Sequence, residues 1–366
     1  MPDIIYQPQP TNMFTEKDLL QIQNKEISLA TIENQISNFK SGFPFVNLEA
    51  AATLNNGLKK FDIKMINHLA DFYNCNLKTI STLKFVPASG AATRMFSHLF
   101  AFRNEYSATA EQISAIENDT NFNSVAWFFK NIKQFAFYHD LLTAMQQNGK
   151  NLEVCLAQHD YNTILDYLLN PSGLNYAALP KALLKFHNYE ADVRTAVEEH
   201  LVEAANYCSD ANNNAQIHFT LSPEHIQHFD DLLAEKLPSY QSHFNLTFHI
   251  SHSIQKPSTD TIAVDENNQP FRNADNSLVF RPGGHGALIN NLNEIHADIV
   301  FIKNIDNIVP DRLKPETNLY KMALAGYLLQ LRDSIYQFLH LLENNDLSLK
   351  ILNSIISFAK TELSHN

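Results

Sequence analysis

Three short segments of the sequence combine small residues with charged ones in an order that suits phosphate binding. The first, Pro87-Ala-Ser-Gly90-Ala-Ala-Thr93-Arg94-Met95, follows a short apolar stretch at 83–86. Its small residues allow the backbone to approach a ligand closely, while Thr93 offers a hydroxyl group and Arg94 a fixed fork of donors for phosphate. The alternative is a tight turn between a strand and a helix, in which Arg94 is an ordinary solvated helix residue.

The second segment is a glycine cluster, Arg281-Pro-Gly283-Gly284-His285-Gly286. The chain has only nine glycines, and three of them fall within four consecutive positions. Such a loop can bring main-chain N–H and C=O groups directly against a planar or anionic ligand. A flexible surface loop is the alternative. The segment lacks the Lys-Ser/Thr of a Walker loop and the third glycine of a dinucleotide-binding fingerprint.

The third segment is Asp306-Asn307, which follows the apolar run 299–302. Open α/β sheets bind ligands and metals at the carboxyl ends of their strands, where this carboxylate is expected. One aspartate together with substrate phosphates suits Mg²⁺, whereas an ordinary Asx turn is the alternative. No zinc site is expected, since His249 and His252 have opposite parity on a predicted strand and point to opposite faces.

Alternating strands and helices are predicted to position these segments. We predict strands at 83–86, 217–221, 246–250, 261–264, 277–280 and 299–302, the last of them buried on both faces. Helices are predicted from a cap at Thr15–Asp18 up to Gly42, at 62–73, 91–102 and 223–236, and in two segments from about 316. This pattern predicts an α/β fold with a mostly parallel sheet.

The predicted organisation has three regions. Residues 1–80 form an N-terminal helical segment, 81–312 form the core, and 313–366 form C-terminal helices. Within the core we predict a large, all-helical insertion over 107–214, with its clearest helices at 123–147 and 190–207.

Composition and charge exclude several classes of protein. Apolar residues make up 45% and charged residues 18%, which excludes a disordered or fibrous chain. The net charge is −12 and no basic block offsets it, so neither nucleic acid nor an anionic membrane surface is an expected partner. Three widely spaced cysteines, an N-terminus unlike a signal peptide and the lack of a long apolar run lead us to expect a soluble cytoplasmic protein.

Taken in order, these segments resemble motifs of the sugar nucleotidyltransferases, especially the UDP-sugar pyrophosphorylases, over about residues 80–312. Residues 87–95 look like the Gly-x-Gly-Thr-Arg-Met/Leu nucleotide loop of those enzymes. Residues 218–225, Gln255, the glycine cluster and 303–307 also have counterparts in them. More narrowly, the chain looks like a bacterial family known as domain of unknown function 4301.

The resemblance implies a GT-A-like, Rossmann-like nucleotidyltransferase core. It also implies an enzyme that couples a nucleoside triphosphate, UTP above all, to a sugar 1-phosphate with release of pyrophosphate. Mg²⁺ is the implied cofactor, with Asp306 as its ligand. The nucleotide-binding residues that it implies are Ser89, Gly90, Ala91, Ala92 and Thr93 with Arg94 for the triphosphate, and Gln255, Gly283, Gly284, His285 and Gly286 for the uracil and ribose.

Departures from the resemblance leave alternatives open. Ala92 stands where those enzymes have a second glycine, and the Pro-Lys that follows their loop is missing, so Lys256 is the candidate that replaces its charge. The sequence also ends sooner after Asp306 than those relatives do, without their second acidic metal ligand. The alternative function is a nucleotide or nucleotide-sugar binding protein without turnover, and a helical interaction scaffold is a third hypothesis that leaves the glycine cluster unexplained. The sugar, the base and the oligomeric state stay open.

Overall fold

The computed structural model describes residues 13–54, 56–90, 92, 95–190, 192–343 and 348–363. The chain divides into two compact units. Unit 1 joins the N-terminal residues up to Ala51 to residues 254–295, and unit 2 consists of residues 52–253 together with 296 onwards. Each unit is built from segments that lie far apart in the sequence.

The described residues form ten strands and fourteen α-helices. The strands are β1 (Thr53–Leu54), β2 (Gly57–Leu58), β3 (Thr82–Pro87), β4 (Lys185–Asn188), β5 (Val193–Thr195), β6 (Asn214–Leu221), β7 (Thr247–Ile254), β8 (Thr261–Ile262), β9 (Phe280–Arg281) and β10 (Ile299–Ile302). The helices are α1 (Glu16–Asn24), α2 (Leu29–Ser41), α3 (Ile63–Asn76), α4 (Ser97–Glu105), α5 (Ala110–Asn118), α6 (Val125–Lys130), α7 (Tyr138–Gln147), α8 (Leu152–Ala157), α9 (Tyr161–Leu169), α10 (Ala196–Tyr207), α11 (Ile226–Phe244), α12 (Ile289–Asn293), α13 (Lys314–Glu343) and α14 (Leu349–Glu362).

The central sheet of unit 2 has the strand order β10-β3-β6-β7. β10 pairs parallel to β3, with Ile302 opposite Phe85, and β3 pairs parallel to β6, with Pro87 opposite Thr220. The prediction of a mixed α/β fold with a mostly parallel sheet is therefore confirmed. The carboxyl ends of β3, β6 and β10 lie at one edge of this sheet, where loops can converge on a ligand.

β10, an edge strand of this sheet, is less buried on one of its faces than predicted. Ile299 and Phe301 are buried, but Ile302 is 50% exposed. The prediction of a strand buried on both faces is therefore wrong. A continuous apolar run does not reveal whether a strand has one neighbour or two.

The helix α10 covers one face of the sheet and is buried around most of its circumference. Its apolar residues Val197, Leu201 and Ala204 join the main core with Ile217 and Phe219 of β6. Beside it, α13 packs closely against α3 at Gly326, where an added Cβ atom would lie 1.9 Å from the carbonyl oxygen of Leu69. This contact requires glycine, since any side chain there would push the two helices apart.

The insertion of unit 2 has its own core. Apolar residues of α4 and α6 to α9 pack together, among them Leu141, Met145, Leu165 and Leu168, all fully buried. The prediction of an all-helical insertion is wrong in one respect, since β4 and β5 form an antiparallel hairpin before α10. The predicted helix at 123–147 is two helices, α6 and α7, and the predicted helix at 190–207 begins only at Ala196.

Unit 1 consists of helices packed against an antiparallel β segment. The capping box predicted at Thr15–Asp18 is present, and the predicted stop at Gly42 follows α2. β8 and β9 pair antiparallel, and isoleucines of α1 and α2 pack with Ile262 and Leu278. The Asp18 carboxylate also accepts two hydrogen bonds of 2.8 Å from Arg272, and the Arg272 hydrogen bonds lower the pKa of Asp18 to about 2.

Candidate functional site

The loops that leave β3 and β10 stay side by side beyond the ends of the two strands. The N–H of Lys303 donates to the carbonyl of Phe85, and the N–H of Ile305 donates to the carbonyl of Pro87, each at 3.1 Å. Asp306 follows directly, with its side chain 32% exposed. Asp306 therefore lies on the loop that runs next to the end of β3, one residue after the contact with Pro87.

The turn after β3 contains part of the predicted triphosphate site. Gly90 is exposed and Ser89 is half-buried, and no described atom lies within 4 Å of the position that a Cβ atom would take at Gly90. Ala92 is fully buried, and its N–H donates to the carbonyl of Leu179 at 3.4 Å. The predicted ligands Ala91, Thr93 and Arg94 lie outside the described residues.

The helix that follows this turn begins later than predicted. The sequence predicts it at 91–102, but α4 begins at Ser97, and its cap residue Phe96 makes no side-chain capping hydrogen bond. The described part of α4 therefore begins seven residues after Gly90.

Lys181, which the sequence analysis did not single out, connects the two loops. Its backbone N–H donates to the carbonyl of Gly90 at 3.4 Å, and its Nζ atom lies 2.5 Å from Oδ2 of Asp306. Lys181 comes from the insertion, more than 90 residues away from either loop, so no local spacing in the sequence reveals it. Three chain segments thus meet at this edge of the sheet, one with a glycine turn, one with a carboxylate and one with an ammonium group.

A buried carboxylate of α10, Glu203, holds Lys303 at the start of the 303–306 loop. Glu203 is fully buried and accepts from Nζ of Lys84 at 2.9 Å, from Nζ of Lys303 at 2.5 Å and from the hydroxyl of Tyr207 at 3.0 Å. Burial alone would raise the pKa of Glu203, but the two lysines lower it to about 2. Burial also lowers the pKa of Lys84 to about 8, with Glu203 acting in the opposite direction.

His200 of the same helix holds the residue that precedes Asp306. Its Nε2 atom lies 3.2 Å from the carbonyl oxygen of Ile305. Burial lowers the pKa of His200 well below its ordinary value, so the ring is neutral and Nε2 carries the proton that the carbonyl accepts. The position of Asp306 therefore depends on α10 as well as on the strand that precedes it.

A second buried carboxylate on α10, Glu199, holds the hairpin and the start of α13. It accepts from Tyr189 at 2.6 Å, pairs with Nδ1 of His187 at 2.8 Å and forms an ion pair with Lys314. Glu199 and Glu203 are four residues apart, which places both on one face of the helix. The sequence analysis did not single out these residues. Two signals indicate a buried charge network: this spacing, and a lysine at position 84 within the apolar run 83–86.

The glycine cluster lies in unit 1, where its loop contacts one other predicted residue, Gln255. Nε2 of Gln255 donates to the carbonyl of Gly283 at 3.2 Å, so the structure brings Gln255 and Gly283 together. Lys256 forms an ion pair with Glu294. The side chain of His285 lies outside the described atoms, and the roles of all these residues stay predictions.

The glycines of this cluster are explained differently from one another. A Cβ atom at Gly283 would lie 2.7 Å from the carbonyl oxygen of Thr259, so packing within the unit requires glycine there. At Gly284 and Gly286, no described atom of a non-adjacent residue lies within 4 Å of the position that a Cβ atom would take. Neither residue has a positive φ. Neither packing nor backbone conformation therefore accounts for glycine at these two positions.

The fold and this cluster of loops define an α/β protein with a glycine turn, a lysine and an aspartate at the carboxyl edge of a parallel sheet. The chain belongs to the family described as Domain of unknown function (DUF4301), whose model matches residues 15–366. Searches among curated proteins and among solved structures found no match. Across the described ranges, no helix has both the length and the apolar character needed to cross a membrane.

Proposed function

We propose that this protein binds a nucleoside triphosphate, with UTP as the expected nucleotide, and joins it to a sugar 1-phosphate with release of pyrophosphate. The observation that carries this proposal is the pairing of the two loops beyond β3 and β10, together with Lys181, which contacts Gly90 through its backbone and Asp306 through its side chain. A glycine turn and a carboxylate on neighbouring parallel strands are suited to bracket a phosphate chain.

The reaction needs alignment and charge neutralisation more than it needs a protein nucleophile. A phosphate oxygen of the sugar 1-phosphate attacks the α-phosphorus in line, and a new P–O bond forms. The bond from the α-phosphorus to the oxygen that bridges to the β-phosphate breaks, and pyrophosphate leaves with that electron pair. Cations and backbone N–H groups around the triphosphate stabilise the charge that develops, and Arg94 is the side chain that we assign to this role.

The residues at this edge fit a magnesium ion that arrives together with the triphosphate. In the described part of the chain, no three or more His, Cys, Asp or Glu side chains are grouped to hold a metal ion by themselves. Mg²⁺ usually keeps several waters and takes one or two carboxylates plus substrate phosphates, so Asp306 alone satisfies the protein's share. When bound, the ion would neutralise charge on the phosphate oxygens.

We also propose that Gln255 and the glycine cluster, both in unit 1, recognise the base of the nucleotide. A separate experiment tests this role. The hydrogen bond from Gln255 to Gly283 and the open space at Gly284 and Gly286 support it. We expect Gln255→Ala to reduce the preference for UTP over other nucleoside triphosphates. An unchanged order of affinities would remove Gln255 from base recognition.

The test of the metal role compares Asp306→Asn with Asp298→Asn. Asp298 lies at the opposite end of β10, where it accepts hydrogen bonds from Ser81, and so serves as a matched carboxylate far from the loops. Calorimetric titration should show that wild type and Asp298→Asn bind UTP more tightly with Mg²⁺, whereas Asp306→Asn gains nothing from the metal. An equal gain in all three proteins contradicts the role of Asp306.

Turnover is tested by pyrophosphate release when the protein is mixed with UTP, Mg²⁺ and a panel of sugar 1-phosphates. The second candidate function, nucleotide binding without turnover, is favoured by the ion pair between Lys181 and Asp306, which leaves the carboxylate already neutralised. Ligand-induced stabilisation without pyrophosphate release would support the binding protein. Absence of binding across all nucleotides contradicts both functions.

A further inference from the structure

We infer that Lys181 binds the phosphate chain directly, exchanging the Asp306 carboxylate for a phosphate oxygen when the magnesium nucleotide arrives. This inference rests on the proposed function and adds a binding residue to it. The ligand class is a polyphosphate anion; after the exchange, Asp306 would hold the metal ion and the ammonium group of Lys181 would hold a phosphate oxygen.

The backbone of Lys181 is held at the turn after β3. Its N–H donates to the carbonyl of Gly90, and the carbonyl of Leu179, two residues earlier, accepts from the N–H of Ala92. The next residue, Ala182, is fully buried. Residues 179–182 therefore run alongside the glycine turn in a fixed register, so the lysine side chain starts from a fixed point next to it.

The Lys181–Asp306 ion pair is accessible from solvent and can separate without leaving a fully buried charge. Side chains of the two residues are 22% and 32% exposed, so solvent and ligands reach both. Both side chains are half-buried at the surface, so separating them leaves neither charge fully cut off from water, and a phosphate and a metal ion can replace the two partners.

Three other lysines of unit 2 are held by buried carboxylates. Lys84 and Lys314 have side chains only 0% and 4% exposed and are paired with Glu203 and Glu199. Lys303 is 10% exposed and is also held by Glu203. Separating these pairs would leave an uncompensated buried charge, which strongly destabilises a protein. Among these described lysines, Lys181 is the one that can change partners.

The experiment compares Lys181→Met with Lys185→Met. Lys185 lies four residues away and pairs with Asp140 at 2.5 Å, with its side chain 32% exposed, so this variant loses the same charge from a similar ion pair. Calorimetric titration of the full chain measures the affinity for UTP with Mg²⁺, for inorganic tripolyphosphate and for uridine. Circular dichroism and Tm establish that both variants are folded.

We expect Lys181→Met to weaken UTP and tripolyphosphate binding by about 10- to 100-fold, in line with the loss of a hydrogen bond to a charged group. Uridine binding should not change, and Lys185→Met should bind all three ligands as wild type does. Lys181→Arg should recover part of the affinity, because the charge is kept but its geometry differs.

A double-mutant cycle tests the exchange itself. Without Mg²⁺, Asp306→Asn releases the lysine and removes a negative charge, so UTP should bind more tightly. Relief of carboxylate–phosphate repulsion alone would give the same gain in Lys181→Met, whereas the exchange predicts a smaller gain there. Equal gains in the two backgrounds overturn the exchange.

The outcomes separate the inference from the proposed function. Should wild type bind UTP and Lys181→Met bind it equally well, the inference is wrong while the nucleotide function stands. Should wild type bind tripolyphosphate through Lys181 but show no preference for UTP over tripolyphosphate, the anion site stands and the nucleotide function is wrong. Binding of neither anion by wild type overturns both.

Discussion

At the scale of single residues, Gly284 is a position where packing among the described residues does not require glycine. An added Cβ atom meets no described atom there, whereas at the neighbouring Gly283 it would lie 2.7 Å from the carbonyl oxygen of Thr259. Substitutions at these two adjacent positions therefore separate a binding effect from a folding effect.

We expect Gly284→Val to leave Tm unchanged and to abolish UTP binding, because the new side chain occupies the space of the ligand. Gly283→Ala is the control, and it should lower Tm, since its Cβ atom is forced against backbone. Differential scanning calorimetry and UTP titration provide both readouts. Unchanged affinity in a folded Gly284→Val protein would remove this loop from the binding site.

Glu203 is the residue on which the buried charges of α10 depend most. We expect Glu203→Gln to lower the free energy of unfolding by about 3–5 kcal/mol, because Lys84 stays buried without its carboxylate. Adding Lys84→Met should restore part of the loss, since an apolar side chain needs no partner. Urea denaturation measures both effects, and a single variant as stable as wild type would show that the network contributes nothing.

At the scale of elements, the close approach of α3 and α13 depends on Gly326. Its added Cβ atom would lie 1.9 Å from the carbonyl oxygen of Leu69, a distance that backbone cannot accommodate without separating the two helices. We expect Gly326→Ala to lower the free energy of unfolding by about 1–3 kcal/mol, the usual effect of overpacking.

Gly286→Ala is the control for the stability of Gly326→Ala. No described atom lies near its added Cβ atom and its φ is not positive, so the free energy of unfolding should stay within about 0.5 kcal/mol of wild type. Urea denaturation of the two variants under identical conditions makes the comparison. Similar values for both would mean that α3 and α13 adjust freely.

At the scale of the whole molecule, both units contain carboxylates whose pKa is lowered by cationic partners. In unit 1 the Arg272 hydrogen bonds lower the pKa of Asp18 to about 2. In unit 2, Lys84 and Lys303 overcome the effect of burial and lower the pKa of Glu203 to about 2. In the unfolded chain, the two carboxyl groups take up protons near their ordinary pKa values, 3.8 for Asp18 and 4.5 for Glu203.

We therefore expect the free energy of unfolding to fall as the pH drops from about 5 towards 2. Between those limits the unfolded chain binds more protons than the folded one, so acid favours unfolding. Glu203→Gln should reduce this slope, because one of the groups responsible is gone. Urea denaturation at a series of pH values tests it, and a flat profile from pH 5 to pH 2 would contradict the assigned pKa shifts.

Local sequence signals determined much of the secondary structure and the order of the candidate motifs. The capping box at Thr15–Asp18, the β3 strand and the two C-terminal helices were all predictable, because hydrogen bonds and periodicity within a few residues fix them. The parallel sheet followed from alternating strands and helices, which also placed Asp306 after a strand. These features depend on neighbours that lie close together in the chain.

Tertiary structure alone decided the neighbours that come from distant segments. Lys181 reaches Asp306 across 125 positions, and Glu203 reaches Lys84 across 119, so no local pattern contains either pair. The place of β10 at the side of the sheet likewise depends on which strands pair, and an apolar run carries no record of that. The sequence supplies the chemistry of each group, but burial and long-range packing determine which charges meet and which of them remain accessible to a ligand.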